Sequence, residues 1–159
     1  MSEFVEPRRL YIMQGVPGSG KTTIAQMLRS YHESVPAYEG FGMMCSVIVL
    51  STDDYRYGDC GHYIFDPAKN ATFHAHTQRD AADAMRRGVH YVIIDNTNIL
   101  REHAYPYVAL ARMYNYEIDV IRVDPGLAEA KKRNGNRPIE RSVPNEVIER
   151  MYATMENLL

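Results

Sequence analysis

Eight consecutive residues, Gly15-Val16-Pro17-Gly18-Ser19-Gly20-Lys21-Thr22, have the form G-x-x-x-x-G-K-T of a phosphate-binding loop. Its glycines let backbone N–H groups wrap a phosphate without Cβ clashes. The helix that follows adds unsatisfied N–H donors and the positive end of its dipole. Lys21 is suited to reach the β- and γ-phosphates, and the Thr22 hydroxyl to ligate Mg²⁺. Gly15, Pro17, Gly18, Ser19, Gly20, Lys21, Thr22 and Thr23 are therefore the expected contacts for ATP. The loop specifies a donor and leaves the acceptor open.

Three other stretches carry chemistry. Ser51-Thr52-Asp53-Asp54-Tyr55-Arg56 puts adjacent carboxylates after an apolar run. One can take a proton from an attacking hydroxyl at the γ-phosphate, or Thr52 or Asp53 can cap a helical turn. Val92-Ile93-Ile94-Asp95 is an apolar run closed by a carboxylate. That is the pattern of a Walker-B element, in which Asp95 holds Mg²⁺ through water. An Asx-turn is the plain alternative. Thr97 and Asn98, beside it, are assigned to the substrate. Residues 131–141 hold five cations and one anion, interrupted by Gly135 and Pro138. This stretch reads as a lid over about residues 133–142, its planar guanidiniums closing on a triphosphate, or else as a solvated loop.

The elements that must position these groups alternate. Strands are predicted at 10–14, 46–51, 90–95 and 117–123, short runs rich in Val, Ile and Tyr. Helices are predicted at 22–31, 67–87 (Asp66 as N-cap, Pro67 in the first turn), 101–114, 127–133 and 144–158. This pattern predicts an α/β fold, a doubly wound parallel sheet of about four strands with helices on both faces. Ligands then lie at the carboxyl ends of the strands, where the motifs fall. Residues 32–45, with Pro36, Gly40 and Gly42, are expected to be irregular, either mobile or a substrate-facing insertion. Tyr55 and Tyr57, beside the acidic pair, stand out among 12 tyrosines as candidates for stacking on a base.

A chain of 159 residues predicts one domain, 1–159. Hydrophobic content of 45% and charged content of 24% are ordinary for a globular protein. No run approaches the ~20 apolar residues of a membrane helix, and the N-terminus lacks a signal segment, so no membrane partner is expected. Cys45 and Cys60 make neither a disulfide framework nor a zinc site, and the default setting is a reducing cytoplasm. A net charge of −2 excludes coating nucleic acid by bulk electrostatics, though not gripping a strand end through a local basic patch.

Taken together, Gly15–Thr23, Asp53-Asp54-Tyr55-Arg56, Thr97-Asn98 and Arg133-Asn134…Arg137…Val143-Pro144…Met151-Tyr152 resemble the P-loop 5′-hydroxyl polynucleotide kinases of the bacteriophage T4 type. Ser51-Thr52-Asp53-Asp54, Tyr63-Ile64-Phe65-Asp66-Pro67 and Ile93-Ile94-Asp95-Asn96-Thr97-Asn98 are similar to the kinase domain of the NEDD4-binding protein 2 family. The resemblance spans about residues 10–157. It implies a P-loop kinase fold with a C-terminal helical lid, and transfer of the γ-phosphate of ATP to a nucleic-acid 5′-OH end. It makes Asp53 the general base and gives Arg56 the phosphate after the terminal nucleoside. Arg133 and Arg137 fall on the donor phosphates, with Lys21 and Arg137 catalytic beside Asp53. Ser51-Thr52 replaces the Asn-Arg of the phage type, and Asp-Asn-Thr-Asn replaces Ser-Asp-Thr-Asn. The chain stops at Leu159, so no 3′-phosphatase partner domain is expected. Kinases for another hydroxyl (a hydroxymethylated base, a nucleoside, a nucleotide sugar) and a nucleotide-dependent switch or scaffold are the alternatives.

Overall fold

The computed structural model describes residues 7–35 and 45–159. Four strands, β1 (Arg9–Gln14), β2 (Val47–Leu50), β3 (Tyr91–Ile94) and β4 (Glu117–Arg122), form one parallel sheet in the order β2-β3-β1-β4. Leu10 pairs with Val92 and Ile118, and Ile48 with Val92. The five helices are α1 (Lys21–Ser34), α2 (Asn70–Arg86), α3 (Arg101–Met113), α4 (Leu127–Gly135) and α5 (Asn145–Thr154). This is the P-loop kinase architecture anticipated above.

The period-two alternation of β1 builds two cores. Leu10 and Ile12 face α2 and α3, packing with Val92, Ile94, Ala81, Ala84, Tyr107 and Val108. Tyr11 and Met13 face the other way, against Ala25 of α1 and against Tyr91 and Ile93. A third cluster, Val16, Ile99, Ala130 and Ile148, lies beneath the phosphate loop. The chain leaves β1 for β2 on one side and returns from β3 to β4 on the other. The loops after β1 and β3 therefore part at a topological switch point, the usual ligand crevice of such sheets.

Four boundaries differ from the sequence reading by more than one residue. Helix α1 continues through His32 to Ser34 instead of stopping at Tyr31. His32, buried, stacks on Tyr91 with ring centroids 3.6 Å apart, so packing carries the helix on. Pro36, Gly40 and Gly42 of the anticipated irregular segment lie outside the described residues. Asp66 caps a 3-10 turn, Pro67–Lys69, and the α-helix proper begins at Asn70. Helix α5 ends at Thr154, not Leu158. Beyond it the backbone is extended: Glu156 N–H bonds the Ile99 carbonyl at 2.9 Å, and Leu158 is buried in the first core. Finally, α4 runs through Arg133 to Gly135 and Ile139–Arg141 forms a 3-10 turn, so only the middle of the basic stretch is irregular.

Candidate active site

The phosphate loop is anchored at both edges. Gly15 N–H donates to the Thr97 carbonyl (3.0 Å) and Ser19 N–H to the Val16 carbonyl (3.1 Å). Gly18 has φ +82°, and a Cβ there would lie 2.2 Å from the Ala130 carbonyl oxygen of α4. Only glycine permits this approach, which seats the loop directly on α4. The first turn of α1 holds no acidic residue and no side-chain cap, leaving its N–H groups for an anion. Pro17 and Ser19 are buried in the loop wall, while Thr23 is exposed at its rim. Lys21 Nζ donates to the Val16 carbonyl at 3.0 Å. Burial, helped by the charge of Arg137 and opposed by Asp95 and Asp53, pushes the Lys21 ammonium down to about 8.

Asp95 follows β3, next to the loop. The Thr22 hydroxyl donates to Asp95 Oδ2 at 2.7 Å, while Asp95 Oδ1 is buried without a hydrogen-bond partner among the described residues. Burial raises the Asp95 pKa, so the carboxylate favours a cation beside it. A hydroxyl and an orphaned carboxylate oxygen are the donor set of a hard divalent ion, and Thr22 and Asp95 fit Mg²⁺.

The acidic run after β2 is a 3-10 turn, Thr52–Arg56. Its N-cap is Ser51, not Thr52 or Asp53. The Ser51 hydroxyl accepts from Asp53 N–H (3.3 Å), and Asp54 Oδ2 accepts from Ser51 N–H (3.2 Å). This capping box occupies Asp54 and separates the two carboxylates. Asp53 stays half-exposed, and its Oδ1 accepts from Arg56 Nε (3.0 Å) and from the Tyr63 hydroxyl (3.2 Å). Burial, with the Asp53 charge, pushes the Tyr63 phenol up to about 12, so it remains a donor. Arg56 is only 7% exposed. Its Nη2 donates to Asn70 Oδ1, its guanidinium lies 4.8 Å from the Phe65 ring centroid, and Nη1 is buried without a partner among the described residues.

Two clefts flank the N-terminus of α1. One, of about 260 Å³, is lined by Thr22, Gln26, Asp53, Asp54, Tyr57, Asp95 and Arg141 among others. The other, of about 480 Å³, lies on the β4 side between Gly20, Thr23, Val123, Pro125 and Arg133. Arg133 projects from α4 toward the loop, with Nη1 3.5 Å from the Ser19 carbonyl and Nε held by Glu129 at 2.7 Å. Arg137 is exposed and makes no ion pair among the described residues, although its charge reaches Lys21. Asn134 staples this region: Nδ2 donates to the Val143 carbonyl (2.8 Å), and Oδ1 accepts from Val143 N–H (3.0 Å).

Most of the anticipated residues converge here, with three exceptions. Asn98, 2% exposed with φ +44°, turns inward and donates to the Met13 carbonyl at 2.8 Å. It locks β3 to β1 and offers nothing to a cleft. Thr97 meets the loop through its backbone carbonyl. Tyr55 is also spent internally: its hydroxyl donates to Asp80 and its ring stacks on Phe73. Tyr57 lines the smaller cleft, as does Arg141. Tyr63, Arg141 and Asn134 stand in stretches singled out above but were given no role of their own. Tyr63 comes in on a hairpin, Arg141 on a 3-10 turn and Asn134 from the last turn of α4, and no local spacing marks them.

A family model described as "AAA domain" matches residues 10–158. Human NEDD4-binding protein 2 is 36% identical over 109 residues, 69% of this chain but 5% of that protein. Mouse 2′,3′-cyclic-nucleotide 3′-phosphodiesterase is 29% identical over 127 residues, 77% of this chain and 25% of that one. The chain thus spans a quarter or less of these relatives. Among solved structures, the Pnkp1/Rnl/Hen1 RNA repair complex matches with TM-score 0.65 and 19% identity, covering 93% of this chain and 44% of that one. Chaetomium thermophilum Kti12 in complex with ADP-AlF3 matches with TM-score 0.63 and 21% identity, covering 93% and 80%. These structural likenesses establish the fold.

Proposed function

Because the chain belongs to this AAA-domain family of P-loop proteins, we propose that it is an ATP-dependent kinase acting on the 5′-hydroxyl end of a nucleic-acid strand. One observation carries the reading. Asp53, with one carboxylate oxygen held by Arg56 and Tyr63, lines the same cleft as Thr22 and Asp95. ATP then lies with its nucleoside toward the β4-side cleft and its triphosphate on the loop, and the acceptor enters the smaller cleft. Asp53 takes the proton of the attacking hydroxyl. Lys21 and Arg137 balance charge on the transferring phosphoryl group, and Arg133 steadies the donor phosphates; little covalent work is left to the protein because the transition state is loose. Mg²⁺ held by Thr22 and Asp95 supplies charge neutralisation when bound.

The unpartnered Nη1 of Arg56 favours a phosphate on the acceptor, which a bare nucleoside or sugar lacks. Phe65 lies over that guanidinium, so the contact requires the phenyl ring to swing aside. The similarity to 2′,3′-cyclic-nucleotide 3′-phosphodiesterase, an enzyme that acts on nucleotides, supports a nucleic-acid or nucleotide acceptor.

The test is transfer of labelled γ-phosphate from ATP to a panel: a 5′-OH oligonucleotide, a nucleoside 3′-monophosphate, a nucleoside and a sugar. The first two are expected to be phosphorylated well and the last two poorly. Arg56→Ala should remove the preference, about 10–100-fold for one charge-assisted bond to phosphate. Equal use of nucleoside and 3′-monophosphate by the wild type would move the assignment to a small-molecule kinase. ATP binding without transfer to any acceptor would indicate a switch or scaffold.

A further inference from the structure

We propose that Tyr63 is a positioning residue for the Asp53 carboxylate, and that Arg141 ties it to the lid. The inference rests on the reading of Asp53 as the general base. Tyr63 lies ten positions beyond Asp53 and returns to it through a hairpin. Tyr57 and Tyr63 form an antiparallel bridge, Gly58 N–H bonds the His62 carbonyl (3.0 Å), and Ile64 N–H bonds the Arg56 carbonyl (2.8 Å). Tyr57 packs edge-on against the Tyr63 ring at 5.7 Å. The phenol is thereby fixed before any ligand arrives.

Both fixed donors, Tyr63 Oη and Arg56 Nε, fall on the same oxygen of Asp53. Two donors on Oδ1 define the plane and tilt of the carboxylate. Oδ2 has no protein donor among the described residues, and it is the oxygen left for an acceptor hydroxyl. The second link comes from the basic stretch. The Arg141 guanidinium lies 5.5 Å from the Tyr63 ring centroid, and Arg141 also lines the acceptor cleft. The 133–142 segment therefore has two faces: Arg133 toward the phosphate loop, and Arg141 toward the tyrosine that steers the base. Docking of the segment on the donor is coupled through one cation–π contact to orientation of the base.

The experiment measures kcat and KM for ATP and a 5′-OH oligonucleotide. Tyr63→Phe keeps the ring and loses only the hydroxyl. It should lower kcat about tenfold, since a modest misplacement of a reacting group is costly, while both KM values and the melting temperature hold. Arg141→Ala should lower kcat in the wild type and add nothing in a Tyr63→Ala background. Wild-type kcat in Tyr63→Phe, or a loss matched by a rise in KM, overturns the positioning role. Fully additive losses of Arg141→Ala and Tyr63→Ala overturn the link to the lid. Asp53→Asn is run alongside. Undiminished transfer by that variant sinks the reading of Asp53 itself, whereas its inactivity beside a wild-type Tyr63→Phe sinks this inference alone.

Discussion

Replacing Asn134 by alanine tests whether the lid is a built part of the active site or a strip of solvated charge. Asn134 is 2% exposed, and its amide spans the base of the loop by pairing with both the N–H and the carbonyl of Val143, at 3.0 and 2.8 Å. The substitution removes both bonds and leaves two backbone groups in a half-buried place. Each unsatisfied group costs about 1–3 kcal/mol, and partial access to water puts the sum near the low end, about 2 kcal/mol. For a protein of this size that lowers the melting temperature by about 4–8 °C. The same loss, if it falls on the docked loop alone, reduces the docked population up to about 30-fold. Calorimetry on the free protein and single-turnover transfer with saturating ATP read the two effects separately. The expected result is a fall in both, with ATP affinity changed far less, because the phosphate loop, Lys21 and Thr22 stay in place. An unchanged melting temperature with a rate within twofold of wild type would refute the argument.

Two further outcomes follow from the geometry. Gly18→Ala should fold less stably and bind ATP more weakly: positive φ alone costs about 1–2 kcal/mol, and a Cβ 2.2 Å from the Ala130 carbonyl forces the loop off α4; nucleotide titration at wild-type affinity would contradict this. His74 is half-buried, and burial, aided by the charges of His103 and Arg56, holds its pKa below the ordinary value, with Asp53 opposing. The unfolded chain takes up that proton near pH ~6.5 and the folded protein only lower. Stability therefore falls as pH drops below that value, and thermal melts at pH 7 and 5.5 should differ more in wild type than in His74→Gln.

The sheet and the donor loop were legible in the sequence because their signals are local. Val, Ile and Tyr runs mark each strand by themselves, and Gly15–Thr22 carries its own conformational demands. The 51–65 side of the site was legible only as far as its segment. Which carboxylate serves the Ser51 cap and which meets Arg56 and Tyr63 is a competition between neighbours that the pair alone does not reveal. Asn98 looked chemical because it follows Asp95, yet a left-handed backbone turns its amide onto Met13. Tyr63, Arg141 and Asn134 act through hydrogen bonds or ring contacts spanning 9 or more residues, and Tyr63 and Arg141 meet only in three dimensions. Helix α5 was overextended for the same reason, since its last turn is traded for bonds to the Ile99 region.

One wall of the smaller cleft, at Ser51, Asp53, Asp54 and Tyr57, comes from a single stretch of chain, while α1, β2, Asp95 and Arg141 supply the rest. From Ser51 to Phe65 the chain caps itself, folds its own hairpin and supplies Asp53, Arg56, Tyr57 and Tyr63. It is pinned to the sheet at Thr52, whose N–H bonds Asn96 Oδ1 at 2.9 Å. The donor loop, by contrast, is wedged between β1, β3 and α4. The two halves of the site are thus unequal in how they tolerate change. The donor half is constrained by three elements at once, whereas residues 51–65 rest chiefly on α2, through Tyr55 on Asp80 and Phe73 and through Arg56 on Asn70. On the proposed reading, a change of acceptor preference is reached by exchanging residues 51–65 together with the α2 side chains that hold them, with Asp53 kept in place.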